Sequence, residues 1–279
     1  MNTQPEKHRI VSDDGVKLAV FTTGKPNGLP VLFLHGTCSS HRIWQRQFAC
    51  PLLTEDLFLI APDLRGHGES EQPTSRKYYS DGISWAGDIN AILNHFDIDY
   101  ANVVAWSYGG RVINDYLLHF GEQRIAGINF IAAGTLSTAA VKGPGYKTLA
   151  QLFSDDAAVR KSAEETFVDD LCVGDRSMRK EILEDVQKTS LKTRLYMRDR
   201  VMKYEDMLSA LTCPVLLTHG RKDHYSLPLL ADMLNRHIPH TRLSWYENEG
   251  HMPFFHSHER FNRELYEFAN RRGVPRKEA

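Results

Sequence analysis

Two hydrophobic rhythms alternate along the chain. One is the short, unbroken apolar run: residues 31–34 (VLFL), 57–61 (LFLIA), 103–105 (VVA) and 214–218 (PVLLT). Runs this short, with no polar alternation, read as strands buried on both faces, the habit of parallel sheets. The other is the helical stripe. Ile89, Ile92, Leu93 and Phe96 fall at i, i+3, i+4 and i+7, which predicts an amphipathic helix over 83–96 with Asp81 as N-cap. Further strands are predicted at 17–22, after the turn signal Asp13-Asp14-Gly15, at 125–132 and at 243–246. Further helices are predicted at 111–120, 228–237 and 259–271. Strands alternating with helices imply an α/β architecture with a parallel sheet covered on both faces.

The interval 134–211 breaks the alternation and shows no buried-strand run. Val159, Ala163, Phe167 and Leu171 recur every fourth residue, and Met178, Ile182, Leu183 and Val186 lie along one face of a second helix. The predicted organisation is a core domain of residues 1–133 and 212–279 with a helical insertion, 134–211, between two sheet strands. A lid is its natural role, because ligands bind beyond the carboxyl ends of such strands.

Composition narrows the partners. The 279 residues are 42% hydrophobic, enough for a large core and against a disordered or fibrous chain. The 34 basic and 35 acidic residues leave a net charge of −1, so no one-sign field is available to hold nucleic acid or an anionic membrane. No apolar stretch follows the charges of the opening MNTQPEKHRI, and no apolar run is long enough to span a bilayer. Cys38, Cys50, Cys172 and Cys213 are scattered without CxxC or zinc-ligand spacing. These features predict a cytoplasmic protein with idle thiols and no metal. Oligomeric state leaves no mark.

The chemistry centres on Ala105-Trp106-Ser107-Tyr108-Gly109-Gly110, which follows a buried strand and opens a helix. A sharp turn there lifts the serine hydroxyl above the sheet edge, and small residues two before and two after it are needed because backbone passes very close. A serine hydroxyl is a poor nucleophile until a base takes its proton, and the base needs an orienting group. The base candidate is His251, in a loop after the last strand. The orienting acid is Asp223, just past the strand 214–218. All three fall in loops at one end of the sheet, in the chain order Ser, Asp, His. An oxyanion hole needs two donors: the backbone N–H of Tyr108 and, from His35-Gly36-Thr37 after the strand 31–34, that of Thr37.

These motifs resemble the α/β-hydrolase superfamily over nearly the whole chain. His35-Gly36 matches its oxyanion loop, Asp63-Leu64-Arg65-Gly66-His67-Gly68-Glu69-Ser70 its strand-four turn, and the Ser, Asp and His motifs match in position and order. WSYGG and LLTHGRKD (216–223) resemble the branch of esterases and non-haem haloperoxidases most. The resemblance implies an eight-stranded, mostly parallel sheet, a helical cap after strand six, and no cofactor. One departure is Ala105, where glycine is usual.

Other residues have plainer readings. His35 and His67 are expected to brace loops, His41 and His224 to be solvated or core, and Asp88 to be a buried anchor or surface group. Trp106, Phe167 and Phe254 are the candidate substrate-contacting side chains, with Phe255 beside them. The charge-rich stretch 194–205 (RLYMRDRVMKYE) is expected to be a solvated cap face. The expected function is hydrolysis of a small-molecule carboxylic ester or lactone, partly apolar, through an acyl-enzyme. The rivals keep the triad on another bond (a proline-type aminopeptidase, C–C hydrolase or perhydrolase), use the fold as a cofactor-free oxygenase, or keep the scaffold as a non-enzymatic ligand-binding protein. An aminopeptidase would need cap acids, for which Glu164, Glu165, Asp169 and Asp170 are candidates.

Overall fold

The computed structural model describes residues 4–136, 138–200 and 203–271. Its strands form one eight-stranded sheet in the order β1-β2-β4-β3-β5-β6-β7-β8. β1 (Glu6–Val11) and β2 (Lys17–Gly24) form an antiparallel hairpin at one edge. β2 also runs antiparallel to β4 (Leu57–Pro62). From β4 onward every pairing is parallel: β3 (Leu29–Leu34), β5 (Ala101–Trp106), β6 (Ile125–Ile131), β7 (Val215–Gly220) and β8 (Thr241–Tyr246).

The apolar runs serve two cores at once. Successive side chains of a strand point to opposite faces. In β3, Leu32 and Leu34 enter one hydrophobic cluster while Val31 and Phe33 enter the other. In β5, Val103 and Ala105 face the first and Val104 and Trp106 the second. The first core is covered by α3 (Gly82–His95), α4 (Gly109–Phe120) and α10 (Leu229–His237). The second is covered by the short α2 (Pro51–Thr54), which follows α1 (Gln45–Phe48), and by α11 (Pro253–His256) and α12 (His258–Ala269). Asp81 caps α3 by accepting from the Ile83 N–H, as its position predicts.

Between β6 and β7 the described residues hold helices and no strand: α5 (Tyr146–Gln151), α6 (Ala157–Leu171), α7 (Arg179–Lys188), α8 (Leu191–Arg198) and α9 (Glu205–Ser209). The predicted stripe of α6 is buried at Ala163, Phe167 and Leu171, whereas Val159, in its first turn, is exposed. Together with Ile182 and Val186 of α7, the buried residues join the second core. Ion pairs fasten these helices to the sheet side. Arg42 pairs with Asp185, and Arg46 with Asp175.

The charge-rich stretch is solvated in part, as expected, at Arg198, Asp199, Lys203 and Glu205, but two of its arginines are not. Arg194 is buried, donating to Glu164 Oε1 at 2.8 Å and to the carbonyls of Leu152, Thr189 and Val186. Arg200 is buried against Asp115, whose other oxygen accepts from the Tyr204 hydroxyl at 2.7 Å. Arg194 spends its donors on helix-end carbonyls and a carboxylate, and Arg200 on a carboxylate and the Tyr108 hydroxyl, which lets each charge leave water. Residues 201 and 202 of that stretch lie outside the described residues.

Candidate active site

β5 delivers the nucleophile candidate. Its last residue is Trp106, α4 begins at Gly109, and Ser107 between them has φ of 52°. A non-glycine residue there is strained, and such strain persists only where neighbours fix it. They do. Ser107 N donates to Ile131 O at 3.0 Å, and Ser107 O accepts from Gly134 N at 2.9 Å and Gly110 N at 3.1 Å. The need for glycine two residues on is direct: a Cβ at Gly109 would stand 2.3 Å from Leu34 O.

The candidate acid and base meet across the ends of β7 and β8. Asp223 is buried and accepts His251 Nδ1 at 2.7 Å through Oδ2. Its Oδ1 accepts the N–H groups of Tyr225 at 2.8 Å and Ser226 at 3.0 Å. Burial by itself would raise this carboxyl, but His251 and His219 beside it hold it well below the usual carboxylate range. With Nδ1 committed to Asp223, Nε2 of His251 is the nitrogen free to act as base. The ring is steadied by Trp106, whose Nε1 donates to His251 O at 2.9 Å, and by the rings of Trp106 and Tyr225, each centred 5.5 Å away.

Ser107, His251, Thr37 and Tyr108 line one cavity of about 250 Å³. No Ser107–His251 hydrogen bond is formed among the described residues. Neither the Thr37 nor the Tyr108 N–H donates to a backbone acceptor among the described residues.

Trp106 and Phe167 also line the cavity. Phe254 does not, which corrects its expected role. It is fully buried behind Trp106, with ring centres 5.3 Å apart and Trp44 4.5 Å away on another side. Phe255 is core as well. Sequence reasoning missed the cationic lining, Arg111, Lys142 and Arg198, and the aromatic Tyr146. Arg111 could have been found, since it lies four residues after Ser107 in the first turn of the helix that follows it; the others meet only through the tertiary fold.

Three further histidines near the site act as braces. His35 donates from Nδ1 to Gly36 O at 2.8 Å and accepts the Leu64 N–H at 3.0 Å, tying the loop after β3 to the loop after β4. His41 is held by Asp63 at 2.8 Å, and His224 meets Asp170 at 3.2 Å. Asp88 anchors Arg65 inside the core. Among the described residues no group of three or more His, Cys, Asp or Glu is placed to hold a metal ion, and no helix is long and apolar enough to cross a membrane.

A sheet of this order, with a strained serine at the end of β5 and a carboxylate–histidine pair at the ends of β7 and β8, defines an α/β hydrolase core. Residues 30–183 match the alpha/beta hydrolase fold family. A superfamily protein of Bacillus subtilis is 26% identical over 277 residues, covering 94% of this chain and 99% of its own. Among solved structures, an esterase of Rhodococcus sp. ECU1013 is 29% identical with a TM-score of 0.88, covering 96% of this chain and 99% of its own. A Burkholderia cenocepacia protein described as an aryl esterase is 30% identical with a TM-score of 0.87, covering 94% and 97%. The chain belongs to the alpha/beta hydrolase fold family, and it is a hydrolytic enzyme.

Proposed function

We propose that this enzyme hydrolyses a carboxylic ester or lactone of a small, partly apolar molecule through Ser107, His251 and Asp223, with residues 134–211 as the lid of the site. The observation that carries the reading is the 2.7 Å Asp223–His251 contact opening onto the same cavity as a serine held at positive φ. Ser107 Oγ attacks the carbonyl carbon while His251 Nε2 takes its proton. The Tyr108 and Thr37 N–H groups receive the oxyanion, each worth about 3–4 kcal/mol in comparable sites. His251 then protonates the departing alcohol. A water, deprotonated by the same nitrogen, attacks the acyl carbon and frees the acid and Ser107. Asp223 stays ionised throughout, fixing the tautomer and stabilising the imidazolium.

The aminopeptidase rival is weakened by where the cap acids are spent. Glu164 pairs with Arg194, Asp169 with Arg176 and Arg179, and Asp170 accepts from Tyr225. None of them, nor Glu165, lines the cavity.

The test is hydrolysis of p-nitrophenyl acetate and butyrate by wild type and Ser107→Ala. Turnover by the wild type with a loss of about 10⁴-fold or more in kcat for the variant is expected. Equal rates would remove Ser107 as nucleophile.

A further inference from the structure

The cavity walls carry charge of one sign. Arg111, Lys142 and Arg198 line it, and among the described residues no aspartate or glutamate does. Arg198 is already matched, since its Nε meets Asp199 at 2.8 Å. Arg111 and Lys142 form no ion pair among the described residues. Arg111 gives only Nε to a protein acceptor, Gly134 O at 3.3 Å, while its guanidinium lies 5.4 Å from the Tyr108 ring centre. That leaves the Nη donors of a planar, bidentate-capable fork facing a site. Lys142 Nζ lies 5.3 Å from the Tyr146 ring centre. Tyr146 lines the same cavity, and burial raises its hydroxyl above the ordinary phenol value, so it too remains a donor. A half-buried arginine without a counter-ion is costly unless a ligand supplies one.

Resting on the ester-hydrolase reading above, we propose that the substrate carries a second, ionised carboxylate, held by Arg111 and Lys142 while its ester carbonyl lies at Ser107. Arg111 follows Ser107 by four residues, in the first turn of α4, and both line the same cavity. This spacing suits a half-ester of a short dicarboxylic acid.

The probes are monomethyl glutarate and its neutral counterpart methyl pentanoate. In the wild type, kcat/KM for the acid ester exceeds that for the neutral one by about tenfold or more, the worth of one charge-assisted bond. Arg111→Met lowers that ratio by a similar factor, mainly through KM, and Arg111→Lys restores part of it. Lys142→Met, an exposed position that does not threaten folding, lowers it severalfold. Added salt erodes the preference. Ratios unchanged in both Met variants, or a wild type that prefers methyl pentanoate, would overturn the subsite. Calorimetry of monomethyl glutarate binding to Ser107→Ala, with and without Arg111→Met, reads the subsite without turnover. Binding that needs Arg111 in a protein whose wild type hydrolyses neither ester sinks the hydrolytic reading and keeps the subsite. Hydrolysis of both esters without discrimination sinks the subsite and keeps the reading.

Discussion

His67 shows how a single side chain can tie stability to pH. It is fully buried, donates from Nδ1 to Arg65 O at 3.0 Å, and its Nε2 has no hydrogen-bond partner among the described residues. Burial, reinforced by the neighbouring His35, lowers it to about 3 against the raising effects of its backbone bond to Arg65 and of Asp63. The folded form therefore stays neutral while the unfolded chain takes up a proton below about pH 6.5. The stability this ring contributes is complete above that value and is lost as pH falls toward 3. Urea unfolding at pH 7, 5.5 and 4.5 should show the wild type losing about 1.4 kcal/mol per pH unit more than His67→Asn across the lower interval. Parallel slopes would refute the assignment. His67 as a brace was legible because its turn motif is so distinctive. His219 beside Asp223 was not, since nothing in a strand sequence says which loop its ring will reach. Phe254 and Arg194 were misread for a related reason: hydrophobic or charged character does not say which surface a residue meets.

Among the elements, the join of α4 to β3 is the most constrained. The contact is between helix and strand backbone, so neither side can swing a side chain away. Gly109→Ala should cost about 1–3 kcal/mol by overpacking. It should also displace the Tyr108 N–H, lowering kcat by about tenfold or more, since small misplacements weigh heavily on catalysis. Thermal melts and ester kinetics on the one variant check both, and an unshifted melt with full activity would show that the join can yield. The central strands and long helices were legible because their hydrophobic periods are strong. β1 was not: of EKHRIV only Ile10 is buried, and what makes it a strand is its register with β2, which no local pattern displays. The four-residue helices α1, α2 and α11 are too short to show a period.

For the whole molecule, the decisive fact is that the second core runs without a break from β3 and β5 into α6 and α7. Core and insertion share one apolar cluster and should unfold together. Trp44, Trp85 and Trp106 are fully buried in the sheet region, whereas backbone circular dichroism weights every helix. Melts followed by tryptophan fluorescence and by far-ultraviolet dichroism should coincide. An earlier dichroism transition, with fluorescence unchanged, would mean that the insertion melts alone.

Asp115 belongs to α4, which follows the nucleophile in the chain, while Arg200, its counter-ion, arrives with the inserted segment. The seam is keyed. A segment transplanted from a relative inherits Asp115 and must answer it with a cation at that one place, or else leave a buried carboxylate unmatched. The same Arg200 donates to the Tyr108 hydroxyl at 2.9 Å, so a mismatched graft would be felt one residue from Ser107. The inserted segment can be traded here only as lock and key together.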